Sequence, residues 1–282
     1  MISIDNKEQK IGRKTNCMDY KIRLSGWLIV VSIIIGTIPV VSAASLNIWP
    51  IDPMIECNDN TTLLWLENLD KNDILLQIRI FSWKQKQNTS LLEKQNDIVV
   101  SPPIVLIASG QKQLLRLVKI RSPSKYEEKA YRIIIDEIPR VNNYNDNVPK
   151  KNIELKFKMR YSIPLFVYGP NIKSPSDILH HLNKNCIIST PKLHYFLLKE
   201  KDKNYLHIRN EGTIHAKLSE VYLEDNKNKY LVSDGLLGYV LPGNEIIFPI
   251  DASLRGRKIL TAQINERPEI KTIPFFNLVQ NK

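Results

Sequence analysis

From residue 44 onward, short runs of apolar residues alternate with polar turns, and no long amphipathic helical pattern interrupts them. The runs are rich in Ile, Leu, Val and aromatic residues, and clusters of Gly, Pro, Asn or Asp separate them. Short strands at regular spacing with turns between them are typical of β-sandwiches. The pattern therefore predicts an all-β fold, with strands in the first half at 62–67, 75–83, 113–119 and 131–138.

A second set of runs follows the break at Gly169-Pro170-Asn171, and it predicts strands at 194–199, 205–210, 216–223, 245–250 and 258–264. Each half has roughly the length of one sandwich with about seven strands. We therefore predict two β-sandwich domains, residues 44–168 and 169–282. The polar stretch 140–152 is rich in Asn and Lys and predicts a loop inside the first domain.

The first 43 residues have the order of a secretory signal peptide. A polar segment with six Lys and Arg precedes an apolar run at 24–41, and Val41-Ser42-Ala43 follows as a site of small residues. We predict that residues 1–43 are removed after Ala43. The alternative is an uncleaved membrane anchor, for which an apolar run of about 18 residues is barely long enough.

The whole chain carries a formal charge of +11. Loss of residues 1–43 removes six basic and three acidic residues, which leaves a net charge of +8. The lysines are scattered, which favours a solvated surface over a site for nucleic acid or anionic lipid. We therefore expect no nucleic-acid partner and no stable membrane insertion after processing.

Segment 152–167 has the most regular pattern in the chain. Apolar residues alternate strictly with polar ones, which predicts one long strand with an apolar and a polar face. Strands usually have about five or six residues, so part of this apolar row is expected to extend beyond its own sheet. The alternative is an ordinary half-buried strand. The row consists of Ile153, Leu155, Phe157, Met159, Tyr161 and Ile163.

No motif in the sequence predicts catalysis. The five histidines lack metal-ligand spacing and are expected at the surface or in turns, and neither a Gly-rich phosphate loop nor GxSxG occurs. We therefore expect no enzyme activity, no metal and no cofactor. Cys57 and Cys186 lie in different predicted domains. An interdomain disulfide is one alternative for these two residues, but isolated buried thiols are favoured.

Several short motifs, taken in order, resemble the periplasmic chaperones of the chaperone–usher pilus pathway. In the second domain, two motifs are similar to the non-classical (archaic) branch: Asn210-Glu211-Gly212 with His215, and residues 238–243 (GYVLPG). The resemblance covers residues 45 to 275. In the first domain it rests on residues 45–51 (SLNIWPI), 66–68 (LEN), 80–83 (IFSW), 101–103 (SPP), 109–117 (SG before LRL) and 131–139 (YR before DEIP).

The resemblance implies two immunoglobulin-like domains set at an angle. It also implies that the chain binds pilus subunits by donor-strand complementation, in which a chaperone strand fills a groove in the subunit. The partners would be pilus or fimbrial subunits and an outer-membrane usher, and self-capping by oligomers of the free chaperone stays open. The donor strand would be 152–167, with Ile153, Leu155, Phe157, Met159 and Tyr161 as the residues that bind the subunit.

The sequence departs from the family at the anchor for the subunit's C-terminal carboxylate. Classical members of the family use an Arg in the first strand and a Lys in the donor strand, but those positions fall near Pro50 and at Pro164. A carboxylate favours charged donors, preferably Arg. The candidates are Arg116 and Arg132, which lie in matched motifs. Alternatively, each has a structural role, paired with an acid such as Asp136 or Glu137.

Two other classes of protein are alternatives to the chaperone. One is an immunoglobulin-like structural or adhesive component of a surface appendage. The predicted donor strand argues against it, because the strand lies between two domains and not at a chain end. The other is an enzyme or a sugar-binding sandwich, which would need a convergent set of polar residues that the sequence does not show.

Overall fold

The computed structural model describes residues 46–86, 88–138, 158–174, 186–225, 228–251, 254, 259–265 and 269–276. Nearly all regular structure in these residues is β-strand, and none is α-helix. Within the same residues, no helix is long and apolar enough to cross a membrane. The predicted all-β fold is confirmed.

The first half of the chain forms a sandwich of two sheets. One sheet has the strand order β1-β3-β8-β6, and the other has the order β2-β10-β9-β4-β5, with β7 also paired to β4. The ten strands are β1 (Leu46–Trp49), β2 (Met54–Ile55), β3 (Thr61–Asn68), β4 (Ile74–Lys86), β5 (Thr89–Glu93), β6 (Ile98–Ser101), β7 (Ile104–Ile107), β8 (Lys112–Lys119), β9 (Glu128–Glu137) and β10 (Arg160–Tyr168).

The chain passes between the two sheets at proline residues. β1 belongs to one sheet and β2 to the other, and Pro50 lies between them; Pro102 lies in the same way between β6 and β7. Proline has no backbone N–H to donate, so it fits where a strand leaves its ladder. As a result of the first crossing, β2 lies parallel to the end of β10.

Alternate side chains of each strand fill the core between these sheets, as the period of two requires. Ile133 and Ile135 of β9 are fully buried, as are Leu115 and Leu117 of β8. Burial of each such side chain contributes roughly 1.5–3 kcal/mol. The residues between them on β9 therefore face away from this core, towards the outer side of the sheet.

The second half forms another sandwich with its own core. Its sheets have the orders β13-β14-β17 and β16-β15-β18-β19, and a short parallel pair, β11 with β12, precedes them. The prediction of two sandwiches is confirmed, whereas the boundary after Tyr168 stays a prediction. The strands are β11 (Ile172–Lys173), β12 (Ile187–Ile188), β13 (Leu193–Glu200), β14 (Lys203–Asn210), β15 (Ala216–Glu224), β16 (Lys229–Val240), β17 (Glu245–Ile250), β18 (Ile259–Ile264) and β19 (Ile270–Ile273).

Cys57 and Cys186 form a disulfide, with their Cα atoms 6.6 Å apart. The prediction of isolated thiols was wrong. Cys57 follows β2, which pairs with β10, and Cys186 precedes β12, which pairs with β11 just after β10. Strand pairing thus brings together two residues that are 129 positions apart. Both half-cystines are buried.

Replacement of both cysteines by alanine should lower the free energy of unfolding by about 3–5 kcal/mol, because the disulfide closes a long loop in the unfolded chain. Urea denaturation at neutral pH measures the change. A reducing agent present throughout unfolding and refolding should destabilise the wild type by a similar amount and leave the double variant unchanged. Equal stability of oxidised wild type and variant would contradict the expectation.

Candidate functional site

Part of one edge of β10 is open. β9 pairs with β10 along its whole length, from Arg160 to Tyr168. On the other side, β2 pairs only with Phe166 and Val167. In the described part of the chain, no strand pairs with the edge formed by residues 160–165. An open edge of this kind can accept another extended segment as a new strand.

The backbone of β10 shows which groups lie on that edge. The N–H of Phe166 donates to the carbonyl of Pro53 on the β2 side (3.2 Å), so the even-numbered residues direct their polar groups there. The carbonyl of Met159 accepts from Glu137 on the β9 side, which agrees with this alternation. The nitrogen of Pro164 therefore faces the open edge. Because proline has no N–H to donate, this position costs no hydrogen bond to β9. Ser162 keeps its N–H on that edge for a partner strand.

The odd-numbered side chains along β10 become more exposed towards the N-terminal end of the strand. Leu165 and Ile163 are buried, Tyr161 is partly buried against the same core, and Met159 is 41% exposed. β10 begins at Arg160, and Lys158 and Met159 lie just before it, so the described residues show the predicted strand 152–167 only from Arg160 onward. The other predicted donor residues, Ile153, Leu155 and Phe157, lie outside the described residues.

At the other end of β10, residues from both sandwiches form a buried cluster, here called the junction cluster. Phe166 lies flat against the ring of His215, with the ring centroids 3.4 Å apart. Trp83 contacts both Phe166 and Tyr239, at 6.2 and 5.8 Å between centroids. The cluster also contains Ala130, Tyr168, Ile172, Ile214 and Leu241.

A buried acid–histidine pair crosses the junction. Glu128 at the start of β9 accepts a hydrogen bond from the backbone N–H of His215 (3.0 Å), and its second oxygen lies 2.8 Å from Nδ1 of that ring. Both side chains are almost completely buried. His215 was expected at the surface or in a turn; it lies in the connection between β14 and β15, but it is buried and not at the surface. Burial, with the charge of Glu128 beside it, raises the pKa of the neighbouring Tyr168 hydroxyl, so this hydroxyl stays protonated.

Arg132 lies on the outer face of β9, above the junction cluster. Its guanidinium is 3.7 Å from the centroid of the Trp83 ring and 5.8 Å from that of Tyr239. Burial lowers the pKa of Arg132, but arginine stays charged in proteins. Within the described residues, no carboxylate forms a salt bridge with it, and Pro164 lies opposite it on β10.

Asp136, which was expected as a structural partner of Arg132, forms salt bridges with two other arginines. Asp136 pairs with Arg79 at 2.6 Å and with Arg160. Burial raises the pKa of Asp136, but the hydrogen bonds from the two arginines outweigh this and hold it below its usual value. Asp136 is thus already paired, which removes one structural role expected for Arg132.

The structure does not bring the two candidate arginines together. Arg116 lies on β8, in the sheet that does not contain β10, and it is exposed. Arg132 lies on β9, next to β10. Only Arg132 therefore shares a sheet with the open edge. The sequence did not single out Trp83, Tyr239 or Glu128 as site residues, although the first two fall within motifs that carried the family resemblance.

Comparisons with known proteins agree with this geometry. Residues 54–173 match the family model described as pili and flagellar-assembly chaperone, PapD N-terminal domain. The CsuC chaperone is 32% identical to this chain. Its structure was solved in a pre-assembly complex with the tip adhesion subunit CsuE of archaic Csu pili from Acinetobacter baumannii. The match has a TM-score of 0.64 and covers 83% of this chain and 100% of that one.

More distant structures share the fold. The Escherichia coli chaperone DraB is 16% identical with a TM-score of 0.54, and the match covers 83% of this chain and 97% of that one. The Salmonella enterica structure of the SafB chaperone with SafA pilin is 14% identical with a TM-score of 0.54, covering 79% and 91%. A search of curated protein sequences finds no match.

Loss of the Glu128 carboxylate should weaken the junction. Glu128→Ala leaves His215 buried without its partner, and we expect the free energy of unfolding to fall by roughly 3–5 kcal/mol. Glu128→Gln keeps an acceptor for the backbone N–H of His215 and should cost less. Urea denaturation of both variants at neutral pH measures the difference. An alanine variant as stable as the wild type would contradict a stabilising role for the pair.

Proposed function

The chain belongs to the pilus-assembly chaperones, and on that premise we propose that it holds pilus subunits in the periplasm and passes them to an outer-membrane usher. The observation that supports this proposal most directly is the open edge of β10. Along this strand, the odd-numbered apolar row leaves the core at Met159. The strand is thus anchored at one end and offers backbone and side chains at the other.

The open edge and the apolar row of β10 both suit donor-strand complementation as the binding mode. The subunits of the family lack their last strand, so each has an apolar groove bordered by unpaired backbone groups. The donor strand 152–167 would fill that groove with Ile153, Leu155, Phe157, Met159 and Tyr161. Each large apolar side chain buried in this way contributes roughly 1.5–3 kcal/mol, and backbone hydrogen bonds along the edge fix the register.

We expect the donor residues to differ in how deeply they enter the groove of the subunit. Tyr161 already packs against the core of its own sandwich, whereas Met159 is exposed. We therefore assign the deepest contacts to Leu155 and Phe157, with Met159 next to them and Tyr161 at the end of the row. CsuC is seen with a tip adhesion subunit, and we extend that class of partner, a pilus subunit, to this chain.

The compartment and the absence of chemistry complete the proposal. A signal peptide at 1–43 would export the chain, and the Cys57–Cys186 disulfide suits an oxidising compartment such as the periplasm. The chaperone would act without nucleotide, metal or other cofactor and without catalysis. The free energy for release of the subunit would come from completion of the subunit's own fold.

Substitution of the donor row should abolish capture of the subunit. In a periplasmic co-purification, the tagged wild type is expected to bring down a small immunoglobulin-like subunit, and Leu155→Asp/Phe157→Asp is expected to bring down none. Two buried carboxylates without partners would cost far more than the apolar contacts supply.

A matched control introduces the same two side chains on the polar face, as Lys156→Asp/Lys158→Asp, and should still capture the subunit. Capture of one partner by all three proteins, or by none of them while they are folded, would contradict the donor-strand proposal. The alternative of a structural or adhesive appendage component would then be favoured.

Arg132 is our candidate for the anchor of the subunit's C-terminal carboxylate. Its guanidinium carbon lies 3.7 Å from the centroid of the Trp83 ring, and a guanidinium over an aromatic face keeps its N–H donors around the rim of its plane. It adjoins Pro164, at the donor-strand position where related chaperones carry a lysine. An arginine one strand away can thus supply the charge that the donor strand lacks.

Truncation of Arg132 should weaken subunit binding, because a charge-assisted hydrogen bond contributes about 1.5–3 kcal/mol. We expect Arg132→Ala to lower the affinity for a purified subunit by roughly 10- to 100-fold. Arg132→Lys should recover only part of the loss, because it lacks the planar fork. Isothermal titration calorimetry measures these affinities.

Arg116→Ala is the matched control, because Arg116 is exposed on the other sheet. It should bind like the wild type. A subunit with an amidated C-terminus should bind the wild type and Arg132→Ala equally. Equal losses in the two alanine variants, or an undiminished effect with the amidated subunit, would overturn the assignment.

A further inference from the structure

The hairpin of β4 and β5 reaches the second sandwich with two side-chain amides. The Nε2 group of Gln85 donates to the carbonyl of Tyr239 (2.7 Å), and its Oε1 accepts from the N–H of Leu241 (2.9 Å). The Nδ2 group of Asn88 donates to the carbonyl of Ile247 (3.1 Å), and its Oδ1 accepts from the N–H of the same residue (2.9 Å). Each amide thus bonds to the backbone as a peptide group of a neighbouring strand would.

The length of β4 places these amides where they are. β9 pairs with β4 from Leu76 to Ser82, whereas β5 pairs with the last residues of β4, from Ser82 to Lys86. In the described residues, the end of the hairpin is therefore paired within β4 and β5 and not with β9. Asn88 lies at its turn with a φ of 62°, a conformation that asparagine tolerates better than most residues.

The two amides hold different strands of the second sandwich. Gln85 bonds on either side of the end of β16, where the ring of Tyr239 lies against Arg132 and Trp83. Asn88 bonds to Ile247 of β17, the edge strand whose other side pairs with β14. The hairpin therefore holds the end of β16, which carries Tyr239, through Gln85. Through Asn88 it covers part of the edge of β17.

The hairpin adds to other contacts between the sandwiches, namely the Glu128–His215 pair, the junction cluster and the salt bridge of Lys217 with Asp52 (2.8 Å). Each contact at a separate point restricts the rotation of one sandwich against the other further. Glu128 joins the sandwiches from the start of β9, and the hairpin joins them from the end of β4 and its turn. Together these contacts fix the position of Tyr239 over the outer face of β9.

We propose that Gln85 and Asn88 are positioning residues, which hold the second sandwich so that Tyr239 and Trp83 together keep the Arg132 guanidinium ready for a subunit's carboxylate. The inference rests on the proposed function of Arg132. It makes the hairpin of the first sandwich, and not only the donor strand, a determinant of subunit affinity.

The variants for the test are Gln85→Leu and Asn88→Gly, separately and combined. Glycine accepts the positive φ of position 88, so Asn88→Gly removes both hydrogen bonds without straining the turn. Asn88→Asp keeps the acceptor for Ile247 and should have a smaller effect. Asn47→Ala is the control, because Asn47 is an exposed amide that donates to Glu67 within the first sandwich.

The first measurement is the NMR resonance of the Arg132 Nε–H group, which the Trp83 ring should shift from its usual position. In the combined variant we expect this resonance to move towards the position of a free arginine, and the amides of Leu241 and Ile247 to exchange at least about tenfold faster. Asn47→Ala should change neither. An unmoved Arg132 resonance despite faster exchange would overturn the positioning role.

The second measurement is subunit affinity in a double-mutant cycle. The combined variant should bind a purified subunit about tenfold more weakly in the wild-type background and no more weakly than Arg132→Ala in the Arg132→Ala background. Additive losses would contradict an action through Arg132. If the wild type binds no subunit, the proposed function fails, and the Arg132 resonance still decides whether the amides position this group.

Discussion

The buried pair of Glu128 and His215 is the contact on which the arrangement of the two sandwiches depends. A carboxylate taken out of water is costly unless hydrogen bonds and a partner of opposite character compensate. Glu128 lies in the first sandwich, and its two carboxylate oxygens contact the backbone N–H and the ring of His215 in the second. Separation of the sandwiches would leave these groups without each other, so the pair favours the closed junction.

The outer face of β9 places the other elements of the site relative to this pair. Because alternate residues of a strand share a face, Glu128, Arg132 and Asp136 follow one another on it. Glu128 joins the sandwiches, Arg132 lies on Trp83, and Asp136 binds Arg160 at the start of β10. One strand thus connects the junction, the candidate anchor and the start of the open edge.

The sequence predicted the strands well where apolar alternation was strong, and less well elsewhere. It missed β16, whose residues include Gly235 and Gly238 and are mostly only half-buried. It preferred free thiols for Cys57 and Cys186, because spacing along the chain carries no information about strand pairing. The contact of Arg132 with Trp83 and Tyr239 joins three strands, and no local pattern encodes such a convergence.

An open strand edge imposes a constraint on the rest of the molecule. Residues 160–165 cannot use backbone pairing on that side for their own stability, and an exposed edge invites aggregation. Pro164 and the charged Arg160 limit unwanted pairing at the edge. The stability that the edge does not supply must come from elsewhere, and the junction cluster, the disulfide and the hairpin amides all lie away from it. The chain therefore separates the part that must stay available from the parts that hold it in place.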